Sequence, residues 1–207
     1  MLIFRRMKKI TLCLFGLLIS AAVVSAQQST DITITNLITA LIGESNATHK
    51  YALYAKKAEE EGFTQVAKLF KAASAAEAIH RDAIKKAITK LGATVPEVKL
   101  EEVKVGSTKE NLENAIKGET YERDKMYPEF LKQARDAKVQ QAVMVFGFAL
   151  DAETEHVKLY KEALDNLGKN KETPVYVCPV CGYTCTVLPP SRCPSCGVSK
   201  EKFIIFN

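Results

Sequence analysis

From about Asp31 to Gly168, apolar residues recur at spacings of three and four on a background rich in Ala, Leu, Lys and Glu. That period is helical. Four segments separate. The first is expected over Asp31 to Glu61, with Gly62 as its stop, and the second over Thr64 to Leu91, with Gly92 as its stop. A long connector, Ala93 to Gly106, contains Pro96. The third helix is expected to start at Ser107-Thr108-Lys109-Glu110, where a hydroxyl cap is followed by Glu, and to kink at Pro128. The fourth runs from about Val139 to Asn166, ending before Gly168. A polar linker, Lys169 to Thr173, closes this region. Beyond it the helical period disappears, and residues 174–207 are rich in Cys, Pro and Gly. So short a segment needs a staple to fold.

The chain opens differently. Arg5, Arg6, Lys8 and Lys9 lead into an apolar run from Ile10 to Val24, which ends Val24-Ser25-Ala26. This is the order of a secretory leader, so residues 1–26 are expected to be a signal peptide cleaved before Gln27. The apolar run is short for a membrane span of roughly 20 residues. Export, to the periplasm, is therefore expected, with no membrane attachment after cleavage. The four leader cations account for most of the formal charge of +5. What remains is close to neutral, which gives no reason to expect a nucleic-acid partner.

Residues 31–168 contain an internal repeat. Asn36-Leu37, Ala40 and Gly43-Glu44 recur as Asn111-Leu112, Ala115 and Gly118-Glu119; Ala76-Glu77-x-x-His80 recurs as Ala152-Glu153-x-x-His156. Helices one and two thus match helices three and four. Two short turns flanking one long connector suit a four-helix bundle with a single crossover, the ferritin-like arrangement. The best-repeated residues are those able to bind metal. Each Glu-x-x-His places a carboxylate and an imidazole on one helix face. Glu44 and Glu119 supply matching single carboxylates from the other two helices. One Glu from each of two helices and a Glu-x-x-His from each of the others form the ligand set of dinuclear carboxylate bundles. Four carboxylates offset two divalent ions in a low-dielectric core, and neutral imidazoles complete each metal without adding charge. The surrounding Ala72, Ala73, Ala75, Ala76, Phe146 and Ala149 do not read as a solvated face. His49 has no repeated partner and is read as a surface side chain. Tyr51 and Tyr127 suit core packing, or phenols bonded to metal-bound carboxylates.

Cys178-Pro-x-Cys181-Gly and Cys193-Pro-x-Cys196-Gly form two C-x-x-C knuckles. Four thiolates at this spacing suit a tetrahedral site for zinc or for one iron. Two disulfides are the alternative in an exported chain, but Cys185 would leave an odd thiol. Cys185 itself is not counted as a ligand.

Taken in order, Gly43-Glu44-Ser45 with Tyr51, Glu77-x-x-His80, Gly118-Glu119-Thr120-Tyr121-Glu122 with Met126-Tyr127-Pro128, and Glu153-x-x-His156 resemble the motifs of rubrerythrins. Cys-x-x-Cys-Gly-Tyr183 resembles the first knuckle of rubredoxins. The likeness covers nearly all of residues 31–207. It implies a mainly α protein: a ferritin-like bundle holding a di-iron centre, followed by a rubredoxin-like domain with one iron on four cysteines. It also implies reduction of hydrogen peroxide to water, an external electron donor, and a head-to-tail homodimer bringing one subunit's relay to the other's di-iron site. By the same likeness Glu122 is an additional ligand that exchanges with His80, and Glu122, Tyr51 and Tyr127 are the residues expected to serve catalysis beside the metals. Two other functions remain open at this point: a ferroxidase, and a non-enzymatic electron carrier.

Overall fold

A computed structural model describes residues 30–207 with their side chains and, before them, the backbone course from Phe4. Of the expected leader, residues 1–3 lie outside the described residues and the remainder is described in backbone only. Helix α1 spans Phe4–Glu60, and α2 spans Thr64–Lys90. They are joined by a tight turn in which Gly62 takes φ +80°. That left-handed backbone favours glycine. After α2 the chain crosses the bundle in an extended connector. Helix α3 (Thr108–Tyr121) then begins at a full capping box: Ser107 accepts from the Glu110 amide, and the Glu110 carboxylate accepts from the Ser107 amide.

The expected kink at Pro128 takes a different form. Helix α3 passes into a π-helical turn, Glu122–Met126, and continues as α4, Tyr127–Asp136, with Pro128 in its first turn. The Tyr127 amide donates to the Glu122 carbonyl five residues back. One wide turn thus resets the register, and the proline falls where its missing N–H and fixed φ are tolerated. Helix α5 covers Gln140–Asp165. The fold is therefore mainly α, with α1, α2, the α3–α4 rod and α5 forming the four members of a ferritin-like bundle. No helix among the described residues is long and apolar enough to cross a membrane.

The bundle buries two apolar clusters. Tyr51, Tyr54, Phe70 and Tyr160 dominate one; Leu37, Leu41, Ile84, Ile88, Tyr127 and Phe146 dominate the other. Buried charged side chains, namely Glu44, Glu77, His80, Glu119, Glu153 and His156, form a separate polar nest. After the linker, β1 (Val175–Val177), β2 (Thr184–Cys185) and β3 (Ile204–Phe206) make a small antiparallel sheet in the order β2-β1-β3. The linker is tied to α2: Glu172 accepts from Lys68 at 2.7 Å, and the Thr173 amide donates to Gln65 at 2.9 Å. Val175 and Val177 extend the first apolar cluster of the bundle. The tail is thus packed onto the helices rather than hung beyond them.

Candidate metal centre

The bundle residues meet as two overlapping groups. Glu44, Glu77, His80 and Glu153 can direct one ligand atom each to within 4.8 Å of one another; so can Glu77, Glu119, Glu153 and His156. Glu77 and Glu153 belong to both groups. His80 Nδ1 lies 2.9 Å from Glu77 and 3.4 Å from Glu153, while His156 Nδ1 lies 2.8 Å from Glu153 and 3.2 Å from Glu77. The two Glu-x-x-His carboxylates therefore sit where they can bridge two ions. Glu44 and Glu119 stand at the outer ends, each 3.7 Å from one histidine. The internal repeat has become an approximate twofold arrangement of ligands.

The phenols follow the same symmetry. Tyr51 on α1 donates to Glu119 Oε1 on α3, and Tyr127 on α4 donates to Glu44 Oε1 on α1. Each half's tyrosine thus holds one oxygen of the other half's single carboxylate. The second oxygen of each, Glu44 Oε2 and Glu119 Oε2, is buried with no hydrogen-bond partner, as are Glu77 Oε1 and Glu153 Oε1. Four orphaned carboxylate oxygens buried in one nest are costly unless cations satisfy them. The residues present therefore fit a dinuclear metal centre.

The titration behaviour reflects the crowding. Burial, reinforced by Glu77, pushes Glu44 up to about 7. Burial and the neighbouring Glu77 and Glu119 carboxylates raise Glu153. Burial also works against ionised Glu77, but the His156 and His80 imidazoles outweigh it and hold Glu77 below the usual carboxylate range. Burial disfavours the imidazolium of His80, yet Glu153, Glu44 and Glu77 together raise it.

Glu122 lies outside both ligand groups. It sits at the first position of the π turn, and a Cβ built on Gly43 would lie 3.7 Å from its Oε1. Burial, with Glu119 and Glu44 beside it, raises its carboxyl well above the usual range. It therefore flanks the nest from the α3–α4 rod without joining it. His49 is half-buried rather than a free surface group, lines a groove with Arg81 and Lys85 under the connector, and joins neither ligand group.

In the tail, Cys178, Cys181, Cys193 and Cys196 converge. The Sγ atoms of Cys178 and Cys196 are 3.5 Å apart, as are those of Cys181 and Cys193. That is too long for a disulfide, and close to the edge of a thiolate tetrahedron around one metal. Each knuckle closes alike: Gly182 and Gly197 take φ +74° and +76°, and their amides donate to the carbonyls of Cys178 and Cys193. A hydrogen bond from Cys181, together with backbone amides, draws the Cys178 thiol down to about 5 despite its burial. Cys185 is buried and free, lies outside the tetrad, and is pushed up to about 11 by burial.

The sequence carried no sign of where the two sites meet. His80 Nε2 lies 3.0 Å from the carbonyl oxygen of Cys181, and His156 Nε2 lies 3.0 Å from Thr184 Oγ1. Within a single chain the two sites are thus juxtaposed. The chain's own tail, tethered to α2 by its short linker, closes over the chain's own bundle site. A backbone carbonyl and a lone threonine after the knuckle have no sequence signature for this role.

Comparison with known proteins agrees with this geometry. Residues 35–164 match the family profile described as Rubrerythrin, and residues 176–204 match that of the rubrerythrin rubredoxin-like domain. The chain belongs to the rubrerythrin family. It is 36% identical to Rubrerythrin-2 of Clostridium acetobutylicum, over 79% of this chain and 91% of the relative. It is 32% identical to nigerythrin of Nitratidesulfovibrio vulgaris, over 84% of this chain and 86% of the relative. The structure of fully reduced, all-ferrous nigerythrin superposes with a TM-score of 0.77 at 34% identity, covering 84% of this chain and 86% of that one. As in other rubrerythrins, the bundle carries the residues of a di-iron site and the tail those of a rubredoxin-like metal site.

Proposed function

We propose that this rubrerythrin is a peroxidase: it reduces hydrogen peroxide to water at the bundle site, with electrons from an external donor relayed through iron at the four cysteines. One observation carries the reading. Cys181, a ligand of the tail site, offers its carbonyl to His80, a ligand of the bundle site, at 3.0 Å. An electron entering at the tail therefore has a path of one hydrogen bond between the two ligand shells. The all-ferrous state of the nigerythrin relative supports iron over zinc.

When bound, two ferrous ions would supply the two electrons that cleave the O–O bond, and the tail iron would replace them one at a time. The chain's own residues set the stage for this. Tyr51 and Tyr127 pin one oxygen of Glu119 and Glu44, leaving the other oxygen of each free to bind metal. Burial keeps both phenols protonated far above their ordinary range, so they act as fixed donors. Glu77 and Glu153, which belong to both ligand groups, would be shared between the two ions. Glu122, whose carboxyl is raised by burial and by Glu119 and Glu44 beside it, flanks the nest as the additional ligand proposed for the catalytic cycle.

A ferroxidase takes electrons from its own ferrous substrate and has no use for a second metal site seated on its histidines. A non-enzymatic carrier has no use for the carboxylate nest. Export to the periplasm and assembly as a homodimer belong to the same proposal. Export would separate the protein from cytoplasmic nicotinamide reductants, so its donor would be an exported or membrane-associated one. The deciding experiment mixes the anaerobically reduced, iron-loaded protein with hydrogen peroxide in a stopped-flow spectrometer. Bundle oxidation should come first and the ferric–thiolate absorption of the tail should follow. Oxidation of added ferrous iron with the tail absorption unmoved would instead establish a ferroxidase.

A further inference from the structure

We propose that Thr184 is a positioning residue for the bundle's metal centre, fixing the tautomer and orientation of His156 from the tail. The available protons decide the tautomer. Thr184 is fully buried on β2, and its hydroxyl donates to the carbonyl of Gly182 at 2.9 Å. A hydroxyl has one proton to give. With that proton spent on Gly182, Thr184 Oγ1 can only accept from His156 Nε2, 3.0 Å away. Nε2 must therefore carry hydrogen. In the neutral ring the lone pair is then on Nδ1, the atom 2.8 Å from Glu153 and 3.2 Å from Glu77. The ligand atom is thus chosen by a side chain in the other domain.

His80 receives the same treatment by different means. Its Nε2 faces the Cys181 carbonyl, which can only accept, so its Nδ1 likewise faces the carboxylates. The difference matters for a test. A backbone carbonyl cannot be removed by substitution, whereas the Thr184 hydroxyl can. The tail therefore has a second task beside relaying electrons: it forms the outer wall of the bundle site and orients both of its imidazoles. The two metal sites, separable modules in the sequence, share this wall.

This inference rests on the bundle binding two metals, and not on peroxide being the substrate. Its test reads metal binding rather than turnover. The full mature chain and its Thr184→Val and Thr184→Ser variants are titrated anaerobically with ferrous iron, following bundle occupancy and, after oxidation, the ferric–thiolate absorption of the tail. Thr184→Val keeps the shape and removes the hydroxyl, leaving the His156 Nε2–H buried without an acceptor. Bundle affinity should fall about 10- to 100-fold, the usual cost of losing such an outer partner. The tail absorption should be unchanged, and Thr184→Ser should restore affinity. Equal affinity in all three proteins would overturn the proposal. So would loss of the tail signal together with the bundle iron in Thr184→Val, which would mark Thr184 as a folding residue of the tail alone.

Discussion

Gly182 sits so close to His80 that a Cβ on it would lie 2.3 Å from the ring's Nε2 and 2.8 Å from Cδ2. Gly197, its counterpart in the second knuckle, has nothing within 4 Å at the same place. Both take the left-handed backbone, at φ +74° and +76°. The pair separates two reasons for glycine. At Gly197 the reason is conformation alone; at Gly182 it is conformation plus clearance for a metal ligand of another domain.

Gly197→Ala should accordingly cost about 1 kcal/mol, the ordinary penalty for a side chain in that backbone region. Gly182→Ala should cost more, because the His80 ring is pinned between the Glu77 carboxylate and the Cys181 carbonyl and has no room to retreat. It should also lower iron occupancy of the bundle while leaving four cysteines able to bind. Thermal unfolding and iron analysis of the two variants check this, and equal effects of the two substitutions would show that the tail does not press on His80.

Much of this was legible in the sequence, for identifiable reasons. Glu44, Glu77, His80, Glu119, Glu153 and His156 announce themselves because metal ligands must be particular residue types at particular helical spacings, and here they occur twice. The cysteine tetrad is legible on the same ground. The capping box at Ser107 and the stops at Gly62, Gly92 and Gly168 follow from local backbone chemistry. What stayed hidden depends on relations between distant segments. The Cys181 carbonyl is a backbone group that every residue possesses. Thr184 reads as an ordinary strand residue until β2 is laid against α5. Pro128 indicated a break, but the choice of a π turn over a kink depends on which register keeps Glu119 and Tyr127 both facing the nest.

Metal removal should reverse the pH dependence of stability. In the metal-free protein Glu44 is raised to about 7, and Glu153, Glu122, His80 and His156 are also raised. A group whose folded pKa lies above its unfolded value binds more protons in the folded state. Its contribution is therefore complete below the unfolded pKa and is lost as pH rises through the folded one. Glu77, which is lowered, acts oppositely, but only in more acidic solution. The apoprotein should thus lose stability as pH rises from about 4.5 to 7, the interval set by Glu44. Iron-loaded protein should gain stability over the same interval, because metal binds the deprotonated ligands. Denaturant melts of both forms at pH 5 and pH 7.5 test the crossing, and parallel slopes would contradict it.

The basic residues Arg5 to Lys9, the apolar run after them and Val24-Ser25-Ala26 predict that the exported product begins at Gln27. N-terminal sequencing of protein recovered from outside the cytoplasm should find Gln27 first. An intact cytoplasmic chain starting at Met1 or Met7 would refute export, and would restore cytoplasmic reductants as candidate donors.

Glu122 breaks the symmetry of the site. Its counterpart in the first half of the repeat is Ala47, which is buried against the Tyr51 cluster. The chain also breaks its helical register at Glu122, where the π turn begins. Such single wide turns are frequent at functional sites. A symmetric storage site would have no evident use for a fifth carboxylate on one side only. A redox site has one, because a ferric ion favours a hard anionic oxygen, whereas a ferrous ion tolerates imidazole. Glu122→Ala should therefore leave the diferrous form intact, with His80 completing it, and should destabilise the diferric form. The bundle potential should rise, and the oxidative step with peroxide should slow. His80→Ala should move the potential the other way, by weakening the diferrous form. Potentiometric titration of the two variants against the parent protein measures both shifts. Opposite signs are the expected result. Shifts of the same sign and similar size would mean that Glu122 and His80 do not alternate, and that Glu122 is a static neighbour of the site.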